Sequence, residues 1–127
     1  LFGNFLRLAV MLTAALYGAV AHGAGSVKFE NALAACVDIR PGLPTSENGQ
    51  FTLQVTLDVK RIIAECGCKS AVSSYASFAQ RDGYRSFLQS GVLSLGQSGM
   101  RTLTLASDSE LVGGGDIVLV LGCALPD

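Results

Sequence analysis

The sequence predicts an all-β domain: an antiparallel β-sandwich of about six to seven strands, with an immunoglobulin-like arrangement. Three observations carry this reading. From Val27 onward apolar and polar residues alternate with a period near two, glycine-rich turns separate the runs, and no stretch has a convincing helical period. A small barrel is the alternative. The core tryptophan and the long cysteine spacing of antibody domains are both missing.

The first strand runs from Leu33 to Ile39, where Leu33, Ala35, Val37 and Ile39 alternate imperfectly before Pro41-Gly42 ends the run. Glu47-Asn48-Gly49 then turns the chain. The clearest strand follows: Phe51, Leu53, Val55, Leu57 and Val59 alternate strictly with Thr52, Gln54, Thr56, Asp58 and Lys60, one core face against one wet face. A serine-rich strand spans Ala71 to Ala79, and Asp82-Gly83 is a strong hairpin signal. Tyr84 to Leu95 forms a long strand in which Ser90-Gly91 suggests a bulge. Gly96-Gln97-Ser98-Gly99 turns into Met100 to Ala106. The last strand, Asp116 to Cys123, is apolar on both faces and therefore central. The expected core joins Phe51, Leu53, Val55, Leu57 and Val59 to Ile117, Leu119 and Leu121.

Residues 1–21 have a different character. Arg7 gives the head a positive charge, Leu8 to Ala21 run without charge, and small residues follow at Ala19-Val20-Ala21. These are the parts of a secretory signal peptide, and the apolar run is shorter than the roughly 20 residues of a membrane-spanning helix. Cleavage there makes residues 22–127 one domain. The competing lipoprotein reading rests on Leu33-Ala34-Ala35-Cys36. Lys28, Glu30 and Asn31 separate that box from the apolar run, and lipidating Cys36 would leave an odd number of cysteines. The membrane is therefore met only during export, and the location is periplasmic or secreted.

Composition excludes several functions. Nine Lys and Arg against ten Asp and Glu give a formal net charge of -1 with no basic cluster, which argues against nucleic-acid binding. The one histidine, His22, stands at the cleavage point, so the domain lacks Ser-His-Asp, Cys-His and His-zinc chemistry. No cofactor and no enzymatic activity are expected. Val112-Gly113-Gly114-Gly115-Asp116 lacks the rest of a phosphate-binding P-loop and reads as a flexible turn. Asp108, Glu110 and Asp116 lack calcium-ligand spacing and read as solvated loop charges.

The four cysteines, Cys36, Cys66, Cys68 and Cys123, read as two disulfides in an exported chain. The alternative is a thiolate metal site or a thiol-redox pair built from the same four residues, although zinc knuckles favour C-x2-C over the C-x-C found here. A bridge within Cys66-Gly67-Cys68 would close a strained ring. If successive strands alternate in direction, Cys123 arrives at the end of the sandwich where the Ala71 strand begins. Cys66 and Cys68 both sit at that end. Cys68 is nearer the strand start, which favours Cys68–Cys123 with Cys36–Cys66; the crossed pairing, Cys66–Cys123 with Cys36–Cys68, is the alternative. The second bridge is the weaker expectation, because Cys36 is out of phase with its strand.

The run Cys66-Gly67-Cys68-Lys69-Ser70-Ala71, followed by Ser74-Tyr75 and Asp82-Gly83-Tyr84-Arg85-Ser86, resembles a family of small exported Gram-negative proteins, the domain of unknown function numbered 2195. The resemblance covers most of the mature chain. It implies a periplasmic location and paired cysteines, and it implies no activity. For recognition, Gln80 to Arg85 places Arg81, Tyr84 and Arg85 at a hairpin tip, residue types that dominate binding hot spots. The plain reading of that tip is a polar turn. The expected function is a non-catalytic module that binds an unknown protein or small ligand of the cell envelope, or serves a structural role there.

Overall fold

The computed structural model describes residues 26–125. Seven strands form two sheets. They are β1 (Val27–Asn31), β2 (Val37–Glu47), β3 (Gln50–Val59), β4 (Val72–Arg81), β5 (Tyr84–Ser94), β6 (Gly99–Ala106) and β7 (Asp116–Cys123). One sheet has the order β1-β7-β4-β5 and the other β2-β3-β6. The expected sandwich is present, and the final strand is central as its two apolar faces require: Ile117, Leu119 and Leu121 point into the core, while Val118 on the opposite face is also buried.

The strict alternation in β3 translates directly into burial. Phe51, Leu53, Val55 and Leu57 are buried and Val59 packs partly against them. They meet Leu103 and Leu105 of the same sheet and the inward face of β7. Both predicted tight turns are hairpins: Asn48 and Gly49 have φ of 52° and 82°, and Asp82 and Gly83 have 52° and 77°. Paired positive φ values are those of a type I′ turn, which Asn-Gly and Asp-Gly adopt most readily.

Four local expectations change. The first strand does not span Leu33 to Ile39. Residues 32–36 form a turn, and β2 starts at Val37. The Asn31 side chain accepts from the Leu33 N–H at 2.8 Å and donates to the Val37 carbonyl at 2.9 Å, while the Leu33 carbonyl accepts from the N–H groups of Cys36 and Val37. These local bonds compete with strand pairing and win. Second, Pro41-Gly42 does not end the strand, because β2 is an edge and absorbs both prolines in a register shift between Pro41 and Pro44.

Third, the bulge in β5 falls at Leu88, between the pairs Ser77–Gln89 and Phe78–Phe87, and not at Ser90-Gly91. Gly91 serves another purpose: a Cβ there would lie 2.8 Å from the Tyr75 ring. Tyr75 lies against that bare backbone and its hydroxyl donates to the Thr104 carbonyl of the other sheet at 3.1 Å. Fourth, β1 runs parallel to β7, so the sandwich is not wholly antiparallel.

The connections sort to two ends. Residues 32–36, 60–71 and 95–98 lie at one end, with both disulfides. The two hairpin tips and residues 107–115 lie at the other, where the Ser109 N–H donates to the Gly49 carbonyl.

Candidate functional site at the open end

Cys36 bonds Cys66 and Cys68 bonds Cys123, with Cα separations of 6.3 and 5.2 Å, the favoured of the two pairings. Cys36 needs no bulge, because it belongs to the turn before β2 and is fully buried there. All four sulfurs are engaged in disulfides, so none is a thiolate ligand or a resting redox thiol. The two bridges also explain why C-x-C is useful. Cys66 reaches the start of β2 in one sheet, Cys68 reaches the end of β7 in the other, and Gly67 at φ 97° lets the chain turn between them. Two closed disulfides fit an oxidising environment.

The opposite end carries the candidate site. Arg81 and Ala79 on β4 and Tyr84 and Ser86 on β5 line a depression of about 490 Å³, closed on its other side by Glu110, Leu111 and Gly113. The Arg81 guanidinium donates to the Val112 carbonyl at 2.9 Å. Its side chain lies across the glycine run: a Cβ on Gly115 would come within 3.0 Å of Arg81 Nε, and one on Gly113 would collide with the guanidinium. Gly113 and Gly114 also have φ of 64° and 78°. The loop expected to be merely flexible is glycine-rich because an arginine is laid on it. No ion pair to Arg81 exists among the described residues.

Arg85, the third predicted tip residue, does not join this depression. Its guanidinium grips Glu30 with two bonds, Nη1 to Oε1 at 3.1 Å and Nη2 to Oε2, and its Nε donates to Gln80 at 3.0 Å. Glu30 lies on β1 and Arg85 on β5, so the pair spans the outer face of the sheet across β7 and β4. The bidentate arginine lowers the Glu30 pKa below its ordinary value and raises that of Arg85.

The three loop carboxylates are dispersed. Asp108 caps the 3-10 turn Ser109–Leu111 by accepting from the Glu110 N–H at 3.0 Å, and Asp116 accepts from the Ser26 N–H at 3.0 Å. No cluster able to hold a metal occurs among the described residues. Sequence reasoning missed the partnership of Arg81 with Gly113 and Gly115. The visible signal was a glycine run that a simple turn does not need.

The family model of uncharacterized proteins conserved in bacteria, DUF2195, matches residues 8–126. The chain belongs to this family. No curated protein and no solved structure matches it.

Proposed function

We propose that this DUF2195 protein is a non-catalytic exported module, residues 22–127 after loss of the signal segment at 1–21, which binds an acidic partner of the cell envelope at its open end. The signal segment and His22 lie outside the described residues. One observation carries the binding reading. Arg81 is held in a depression by a neutral carbonyl and two glycines, with its charge unmatched by any ion pair among the described residues. A cation positioned in this way is ready for a carboxylate or phosphate group, and the Tyr84 and Ser86 hydroxyls beside it supply further hydrogen bonds. Glu110 on the opposite wall favours partners that carry a donor next to the acidic group.

The reading as a module, and not an enzyme, is supported by the engagement of every cysteine in a disulfide and by the absence of histidine among the described residues. The test is an affinity capture from periplasm with the exported protein and its Arg81→Ala and Tyr84→Ala variants. Capture by the wild type that Arg81→Ala abolishes, with disulfides intact, is the expected result. Equal capture by all three would remove the open end from the binding reading. N-terminal sequencing of the exported chain is expected to begin between residues 22 and 26.

A further inference from the structure

The two sheets expose four edges, and three of them are blunted. The edge of β2 carries Pro41, Pro44 and the irregularity between them. On β6 the pairing skips Leu105, whose carbonyl accepts from the Ser77 hydroxyl, while the neighbouring Thr104 carbonyl accepts from Tyr75. The edge strand β1 is five residues long and alternates Lys28 and Glu30 on its outer face. Short strands, prolines, bulges and charges are the usual devices that keep an edge from pairing.

The fourth edge, β5, has no proline and is not short: it is 11 residues long, and it is uncharged from Ser86 to Ser94. Along Gln89–Ser94 the carbonyls of Gln89 and Leu93 accept from the Ser77 and Ser73 hydroxyls of β4, and that of Ser90 accepts from the Gln89 side chain at 3.3 Å. Its one bulge at Leu88 leaves Gln89–Ser94 in regular pairing. Its single charge, Arg85, is neutralised within the chain by Glu30. On the outer face Phe87 is 60% and Val92 70% exposed, and Val92 borders a shallow trough of about 480 Å³ shared with Ser74, Ala76, Ser90, Gly122 and Leu125. Phe87 stacks edge-on against Phe78 of β4, with ring centroids 5.9 Å apart, so it is held in place on that face.

We infer that β5 is a docking edge for a second copy of this chain, whose own β5 adds antiparallel to it about a two-fold axis perpendicular to the sheet. The symmetry is what selects this occupant. An antiparallel edge is complementary to itself in hydrogen bonding, and a two-fold interface brings each residue near its own equivalents. That arrangement is disfavoured where an edge carries net charge, and Ser86 to Ser94 carries none. A perpendicular axis keeps both outer faces on one side. The exposed Phe87 and Val92 of one copy then lie on the same side of the joined sheet as those of the other, and two four-stranded sheets become one continuous sheet. This site is separate from the depression at Arg81.

The test uses the oxidised exported protein. Sedimentation over a range of concentrations is expected to show a two-chain species. Hydrogen exchange is expected to show amides of Gln89–Ser94 that slow as concentration rises, while those of β2 and β6 do not change. Val92→Lys, at an exposed position, is expected to restore the one-chain mass and fast exchange in β5, with both disulfides intact and the melting of the wild-type chain at dilutions where it is a single chain. A single-chain mass up to the millimolar range would overturn the inference. So would a dimer whose β5 amides show no dependence on concentration, or a Val92→Lys protein that remains a dimer. Protection of β5 that appears only when periplasmic extract is added to a monomer would also overturn it, in favour of a foreign strand.

Discussion

The two ends of the sandwich are built on different physics. At one end the connections are tied covalently: the turn at 32–36 and residues 60–71 are joined through Cys36–Cys66, and Cys68–Cys123 ties the latter to the end of β7. Cys36, Cys68, Leu33 and Ile63 are all buried there. At the other end nothing is covalent. Two type I′ hairpins and a glycine-rich loop are held by single hydrogen bonds such as Ser109 to Gly49 and Arg81 to Val112. A domain of this length has a limited core, so a staple at one end contributes much of its stability. The other end is then free to carry an arginine whose charge is not used for folding. The covalent staples and the candidate site are separated along the strand axis.

The comparison can be broken most directly at the covalent end. Replacing Cys68 and Cys123 together by serine should lower unfolding free energy by about 2–5 kcal/mol, since the bridge joins residues 55 apart in sequence. Urea denaturation with Cys36–Cys66 confirmed by mass spectrometry measures this. A loss under about 1 kcal/mol would mean that noncovalent packing, not the staple, holds that end.

The next effect lies in the same half of the sandwich. Gly91→Ala would push a methyl group into the Tyr75 ring, which is fixed by its bond to Thr104. A loss of roughly 1–3 kcal/mol in denaturant melts is expected from overpacking. Alanine at Gly96, where a Cβ meets nothing within 4 Å, is the matched control and should be mild.

Tyr75→Phe should cost about 1 kcal/mol, the net value of one hydrogen bond between the sheets. It should also change the alkaline limb of the stability profile. Burial raises the Tyr75 pKa above its ordinary 10.0, so its contribution is complete below that value and is lost as pH rises through the higher folded pKa. The variant is expected to lose that part of the alkaline dependence. An unchanged alkaline limb would show that other groups cause it.

The smallest effect belongs to the outer face near the open end. The Glu30 pKa is lowered in the folded chain, first by its bond to Arg85. Its contribution is therefore present above the ordinary carboxylate value of 4.5 and is lost as pH falls through the lower folded value. Glu30→Gln should flatten that acid limb slightly in thermal melts and leave neutral stability almost unchanged, because the pair is exposed to solvent. A large loss at neutral pH would mean that the open half depends on this ion pair more than its exposure suggests.

Legibility followed the range of the interactions involved. The β3 alternation and the Asn48-Gly49 and Asp82-Gly83 turns are properties of adjacent residues, and they could be read from the chain alone. Strand direction, set by successive turns, also brings Cys123 to the end that holds Cys66 and Cys68, but it does not choose between those two. The turn at 32–36 was misread as strand because Leu33, Val37 and Ile39 imitate alternation, while the Asn31 side chain supplies the bonds that decide otherwise. Of the candidate tip, Arg81 and Tyr84 line one depression, whereas Arg85 is drawn away by a glutamate 55 residues earlier in the chain.

What the sequence determined by itself was therefore the all-β class, the hairpins, the core stripe of β3, the central position of β7 and the end of the sandwich at which the cysteines meet. Each rests on residue periodicity, on backbone conformations that few residues adopt, or on chain direction. Only the tertiary structure decided that β1 lies parallel beside β7, that Arg81 rests on Gly113 and Gly115, and that Arg85 belongs to Glu30. It also decided which of the four edges is open. These outcomes depend on which distant segments share a sheet or an end, and neighbouring residues in the chain carry no record of that.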